Sequence, residues 1–173
     1  MRRHFFASGI IGSVVKSQHP VPAFFVELPA QFGQTAGVIL RLVILACGGA
    51  LGTLARYGLN GVISARVVTF PLGTLVVNVT GCFAIGFIAA MSGPGTGRAW
   101  LKPEWRDFLM VGFCGGYTTF SSYGVQTLNL ARDGEWLAVA GNVIGSNVLG
   151  LGAVYLGWVA GRFLQAKLHG GAL

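Results

Sequence analysis

Acidic residues are scarce in this chain. Only five Asp and Glu stand among 173 residues, and Glu27, Glu104, Asp107, Asp133 and Glu135 all fall outside the long apolar runs or at their edges. A proton- or cation-coupled carrier ordinarily keeps a carboxylate within the membrane, so this pattern counts against a small multidrug-type exporter. Histidine is scarcer still, with His4, His19 and His169 near the chain ends. No Ser/His/Asp, Cys/His or metal-hydrolase constellation can be assembled, which counts against enzyme chemistry. Cys47, Cys82 and Cys114 are odd in number and each sits in an apolar segment. That suits neither a disulfide framework nor a zinc site, and the thiols read as small buried hydrophobes.

What remains is apolar. Hydrophobic residues make up 53 % of the chain, charged residues 10 %, and the mean hydropathy is +0.67. A chain of this length and composition reads as one all-α integral membrane domain. Its 28 glycines suit close packing between helices. The net charge of +7 would suggest nucleic acid in a soluble protein. Here the cations flank apolar runs, so anionic lipid headgroups are the expected counterpart and nucleic acid is not.

Residues 1–35 differ from the rest, with Pro20, Pro22 and Pro29, several charges and only short apolar runs. They read as a poorly ordered extension; no usual cleavage motif marks a signal peptide. Residues 36–165 form the membrane domain and 166–173 a short basic tail. Four apolar segments lie between, each near the roughly 20 residues that span a bilayer core. The first, about 38–57, holds the small-residue face Gly48-Gly49-Ala50-Leu51-Gly52 and ends at Arg56-Tyr57. The second, about 70–91, starts at Thr69-Phe70-Pro71, where proline suits a helix start. The third covers about 108–130, and the fourth about 136–163 after the turn Arg132-Asp133-Gly134-Glu135. Four spans put both termini and the loop 92–107 on one side, with most of the Lys and Arg. The positive-inside rule places that side in the cytoplasm, hence the cell inner (plasma) membrane. Arg56, Arg66 and Arg132 lie opposite.

The third segment is the anomaly. Gly112-Phe113-Cys114-Gly115-Gly116-Tyr117-Thr118-Thr119-Phe120-Ser121-Ser122-Tyr123 puts paired glycines and four hydroxyls at mid-membrane depth. Glycine weakens a helix, and non-helical backbone at that depth survives only when buried in protein or lining a polar cavity. The reading is a helix broken near Gly115-Gly116. Other neutral polar groups share this depth: Asn78, Gln126, Thr127, Asn142, Ser146 and Asn147. They can replace water around an anion without trapping it, or they can tie helices together; spacing leaves both open. Phe120 and Tyr123, three apart, share a helix face, either against lipid or core or with ring edges turned to an anion.

These stretches closely resemble the Fluc (CrcB-type) fluoride channels. Residues 112–123 resemble that family's third-helix signature. Gly48–Gly52 with Arg56-Tyr57 is similar to its first helix, Pro71-Leu72-Gly73-Thr74-Leu75 with Asn78 and Gly81 to its second, and Asn142, Ser146 and Gly150 to its fourth. The resemblance covers about 38–162. It implies an antiparallel dual-topology homodimer with two pores that let fluoride leave the cell down its gradient, reducing its toxicity. It implies a central structural sodium ion, Na+, held by the backbone carbonyls of Gly115 and Thr118 from both subunits. It also implies that Asn78 donates to fluoride and that Phe120 and Tyr123 form the aromatic box. Thr119, Ser122 and Ser146 would form a polar track, and Arg56 would serve the vestibule or anchor its helix. Tyr123 stands where Phe is usual, and Gln126 where Glu is frequent. The charge asymmetry fits dual insertion poorly; a chain inserting one way only would need an oppositely oriented paralogue.

The competing expectations are a coupled small-solute exporter and a non-transporting helix-packing protein. Gradient-dependent flux would mark the first. No flux, with tolerance of an apolar residue at position 78, would mark the second.

Overall fold

The structure, a computed structural model, describes residues 35–67, 69–92 and 101–168, and every regular element among them is helical. Helix α1 is Thr35–Ser64 and α2 is Leu72–Ser92. A single turn, α3 (Pro103–Arg106), opens with proline at a helix-start position and runs into a π-helical segment, Asp107–Cys114. Then come α4 (Gly115–Tyr117), α5 (Phe120–Arg132) and α6 (Trp136–Leu168). The expected extension over 1–35, apart from Thr35, which opens α1, and the last residues of the expected tail, 169–173, lie outside the described residues. Residues 166–168 continue α6.

Three helices are long and apolar enough to cross a membrane: Gly37–Ser64 within α1, then α2 and α6. Helix α1 runs seven residues past Tyr57, because an interfacial Arg-Tyr pair anchors a helix without ending it and no proline follows before Pro71. The third apolar segment is not one helix. Its pieces are the π-helical segment, α4 and α5, with a gap at Thr118-Thr119.

The glycine pair predicts the break at Gly115-Gly116, and the structure moves it three residues on. Cys114 and Gly115 keep right-handed helical torsions, and α4 carries the helix through Tyr117. Thr118 (φ −81°, ψ 158°) and Thr119 (φ −151°, ψ 114°) are extended. The glycine's missing side chain serves packing instead: a Cβ on Gly116 would collide with Gly49 O of α1. Opposite it, Gly48 and Gly52 are the buried face of α1. A Cβ at Gly48 would stand 2.6 Å from Phe108 O, and one at Gly52 would strike Phe113 O. Backbones approach this closely only through small residues.

The same device joins α2 to α6. A Cβ on Gly86 would meet Val154 O, one on Gly157 would meet Phe83 O, and one on Gly161 would stand 2.7 Å from Ala90 Cβ. Gln165 Nε2 donates to Ala90 O at 3.0 Å at the end of this seam. Helix α5 ends as its sequence predicts. Gly134 adopts φ 77°, Gly134 N–H donates to Ala131 O and Glu135 N–H to Leu130 O, which closes the helix and reverses the chain into α6. Near the start of the third segment, Arg41 on α1 pairs with Asp107 at 3.3 Å, partly in solvent.

Candidate functional site

The gap at Thr118-Thr119 is held open from α2. Asn78 Nδ2 donates to Thr119 O at 3.0 Å, and Asn78 Oδ1 accepts from Thr119 N–H at 2.8 Å. One carboxamide thus satisfies both backbone groups of a residue that has left the helix. Each such bond contributes about 1 kcal/mol, and a buried group left unmade costs about 1–3 kcal/mol. One Nδ2 hydrogen remains for another acceptor.

Thr119 also starts the next helix. Its Oγ1 accepts from Ser122 N–H at 3.2 Å and donates to Ser122 Oγ at 3.1 Å. This is an N-cap on α5. Thr119→Val keeps the shape and removes the cap; the expected loss is about 1 kcal/mol of stability, read as a lower melting midpoint for the purified protein.

Two carbonyls lose their helical donors as a result. In an unbroken helix the N–H of residue i bonds the carbonyl of i−4, so Thr119 N–H would serve Gly115 O and Ser122 N–H would serve Thr118 O. The first goes to Asn78 Oδ1 and the second to Thr119 Oγ1. Gly115 O and Thr118 O are therefore released together, one turn apart. Gly115 is exposed, and a Cβ there would meet nothing within 4 Å. The Thr118 hydroxyl is engaged elsewhere, donating to Cys114 O at 3.0 Å.

Beside the break lies a cleft of about 200 Å³. Thr53, Arg56 and Asn60 line it from α1, Thr119 from the break, and Ser122 and Gln126 from α5. Gln126 Oε1 is buried without a hydrogen-bond partner among the described residues. Tyr57 and Val77 add apolar surface, so the recess is mixed, with one cation, Arg56, among hydroxyl and amide residues, a combination able to attract an anion.

Phe120 and Tyr123 are neighbours on α5, with ring centroids 5.3 Å apart and planes tilted by 46°. They do not line this cleft. Phe120 is 83 % exposed on the single chain, an extreme value for an aromatic ring beside a polar break. Ser146, on α6, is also apart from the cleft, and its Oγ is buried without a hydrogen-bond partner among the described residues. A hydrogen-bond chain ties α5 to α6. Asn142 Nδ2 donates to Thr127 Oγ1, which donates to Tyr123 O, both at 2.8 Å. Asn142 is 2 % exposed.

The structure thus joins Asn78, Thr118, Thr119 and Ser122, brings Arg56 into one cleft lining with the last two, and leaves the Phe120–Tyr123 pair and Ser146 outside that lining. It also adds a contact that the apolar-run reading passes over. Thr80 Oγ1 and Tyr117 OH are 2.8 Å apart. Since Thr80 donates within α2 to Val76 O at 2.8 Å, the phenol is the donor in this pair. A threonine inside an apolar span was the available signal.

A family model described as "CrcB-like protein, Camphor Resistance (CrcB)" matches residues 43–158. Among similar curated proteins is the "Fluoride-specific ion channel FluC" of Opitutus terrae, 52 % identical over 117 residues, covering 67 % of this chain and 88 % of that protein. The protein of the same description from Paramagnetospirillum magneticum is 50 % identical over 128 residues, covering 73 % and 99 %. That from Rhodospirillum rubrum is 49 % identical over 121 residues, covering 69 % and 93 %. The matched span contains the break, the α2 clamp and the cleft, and on this ground the chain belongs to the CrcB family.

Proposed function

We propose that this chain forms a passive, fluoride-selective channel that lets fluoride leave the cytoplasm down its gradient and so relieves its toxicity. The carrying observation is the break itself: released carbonyls, hydroxyls and a carboxamide meet at the middle of an apolar segment, in a family whose named relatives are fluoride channels. These relatives are channels, not enzymes.

The third segment crosses the membrane as a fourth span. Asp107–Arg132 extends roughly 35–40 Å at helical rise, enough for a core of about 30 Å. Hydrocarbon cannot satisfy Gly115 O and Thr118 O, so their open side is covered by protein. A second copy related by a two-fold axis brings the same carbonyls to one point. In an antiparallel, dual-topology homodimer that axis lies in the membrane plane. An oppositely oriented paralogue would serve the same geometry if the chain inserts one way.

The residues fit the expected structural sodium ion. Gly115 O and Thr118 O of each copy offer uncharged oxygen ligands of the kind a hard cation takes, and Asn78 and Thr119 have already diverted the N–H groups that would compete. When bound, sodium supplies positive charge that neutralises converging carbonyl dipoles and ties the copies together.

Fluoride holds its water tightly, so its path needs donors throughout. Arg56 and the cleft gather the anion at the vestibule. The Ser122 hydroxyl, oriented by the bond it accepts from Thr119, the spare Asn78 N–H and the unpartnered Ser146 hydroxyl supply donors along the track, in which Thr119 positions Ser122. The exposed Phe120 ring and the half-buried Tyr123 ring beside it present positive edges to the ion. The setting is the cell inner membrane, and lipid contacts the exposed apolar faces. Expression in a fluoride-hypersensitive bacterial strain tests this reading. Growth is restored on fluoride medium and unchanged on chloride medium; well-expressed protein that gives no protection contradicts it.

A further inference from the structure

One turn of α2 meets every residue of the break. Asn78 bonds Thr119 N–H and O. Thr80 Oγ1 receives the Tyr117 hydroxyl. Between them in space, Thr118 Cγ2 occupies the volume that a side chain on Gly81 would fill, and Tyr117 Cδ1 stands 3.1 Å from that point. Gly81 is buried. Residues 117, 118 and 119 are thus each fitted to a different position on one helical turn.

From this we infer that Asn78, Thr80 and Gly81 are positioning residues for the cation cradle, acting through the backbone at 117–119 without touching the ion. The inference rests on the sodium reading above and deepens it. Asn78 keeps Gly115 O released by occupying Thr119 N–H. Gly81 sets how far Thr118, and with it Thr118 O, can approach α2. Thr80 fixes Tyr117, the last helical residue before the gap. A ligand carbonyl displaced by a fraction of an ångström loses affinity, and supporting residues of metal sites typically change it by about 10–100-fold.

Thermal unfolding of the purified full-length protein, with sodium chloride titrated against choline chloride at constant ionic strength, reads this directly. The wild-type midpoint rises with sodium. Asn78→Leu and Gly81→Ala need at least about tenfold more sodium for the same rise, and Thr80→Val shifts the requirement in the same direction by less. A defect in general packing lowers the melting temperature equally in both salts and leaves the sodium requirement unchanged.

Gly81→Ala combined with Thr118→Ser supplies the decisive pair. The serine removes the Cγ2 that the new methyl would strike and keeps the carbonyl, so sodium affinity returns toward wild type. This pair also keeps the test open if Asn78→Leu does not fold. Folded single variants with the wild-type sodium requirement overturn the positioning role while the cation site stands. A wild type indifferent to sodium overturns the site and the positioning role with it.

Discussion

Phe120→Ile lowers passive fluoride efflux from proteoliposomes by at least about 30-fold while the protein stays folded. The ring is 83 % exposed on the single chain, so its replacement opens no cavity within this chain, and the usual penalty for truncating a buried aromatic does not apply. What is lost is the ring's positive edge. The converse attraction, a cation over a ring face, reaches about 2 kcal/mol when desolvated. A loss of that size at the barrier is about 30-fold in rate. Size-exclusion profiles matched to wild type, with efflux near that of empty liposomes, are the expected pair of results. Retained efflux would remove Phe120 from the ion path and leave its exposure to be explained by lipid.

Gly157→Val prevents recovery of folded protein, an effect larger than that of any single polar change. A Cβ at 157 collides with Phe83 O, and its reciprocal neighbour Gly86 faces Val154 O in the same way. Both obstructing atoms are backbone, so no rotamer change relieves the contact; α2 and α6 must separate. Overpacking typically costs about 1–3 kcal/mol, but separation also breaks the Gln165–Ala90 bond and moves α2 away from the break. Together these losses rival the lower end of a total stability of about 5–15 kcal/mol. Gly152→Ala is the control: a Cβ there meets nothing within 4 Å, and its expected effect is within about 0.5 kcal/mol. Solubilised yield and a monodisperse elution peak distinguish the two. Equal behaviour would mean that α2 and α6 do not pack as described.

The helices were legible in the sequence because an apolar run of membrane length reads by composition alone. So was the closing turn at Gly134, where chain reversal demands a left-handed residue. The break was legible in kind and misread in place. A glycine pair signals weak helix, yet Gly116 remains helical because its bare Cα lets Gly49 O approach. The better signal was Thr119 followed by Ser122, a hydroxyl residue capping the helix to come. Least legible was the grip of Asn78 on Thr119. An asparagine in a span announces that something polar faces it, but a partner 41 residues away is fixed only once α2 lies against the break. The same holds for Tyr117 and Thr80. The π-helical stretch before the break has no mark in the apolar pattern. Arg56 was placed by its charge, whereas its companions Thr53, Asn60 and Gln126 were gathered by tertiary packing.

Asn78 also shows why donors at membrane depth resist assignment from spacing alone. Its oxygen and one N–H serve the backbone of the break, while one N–H remains for an anion. Helix-tying and ion-lining, which composition leaves as alternatives, are then compatible in one side chain.

Passive fluoride efflux from liposomes containing the purified wild-type protein, with no proton or sodium gradient and with chloride as the paired ion, tests the central claim most directly. The account predicts fast fluoride release with chloride release near that of protein-free vesicles. No fluoride release from well-folded protein, or equal release of both anions, would contradict it.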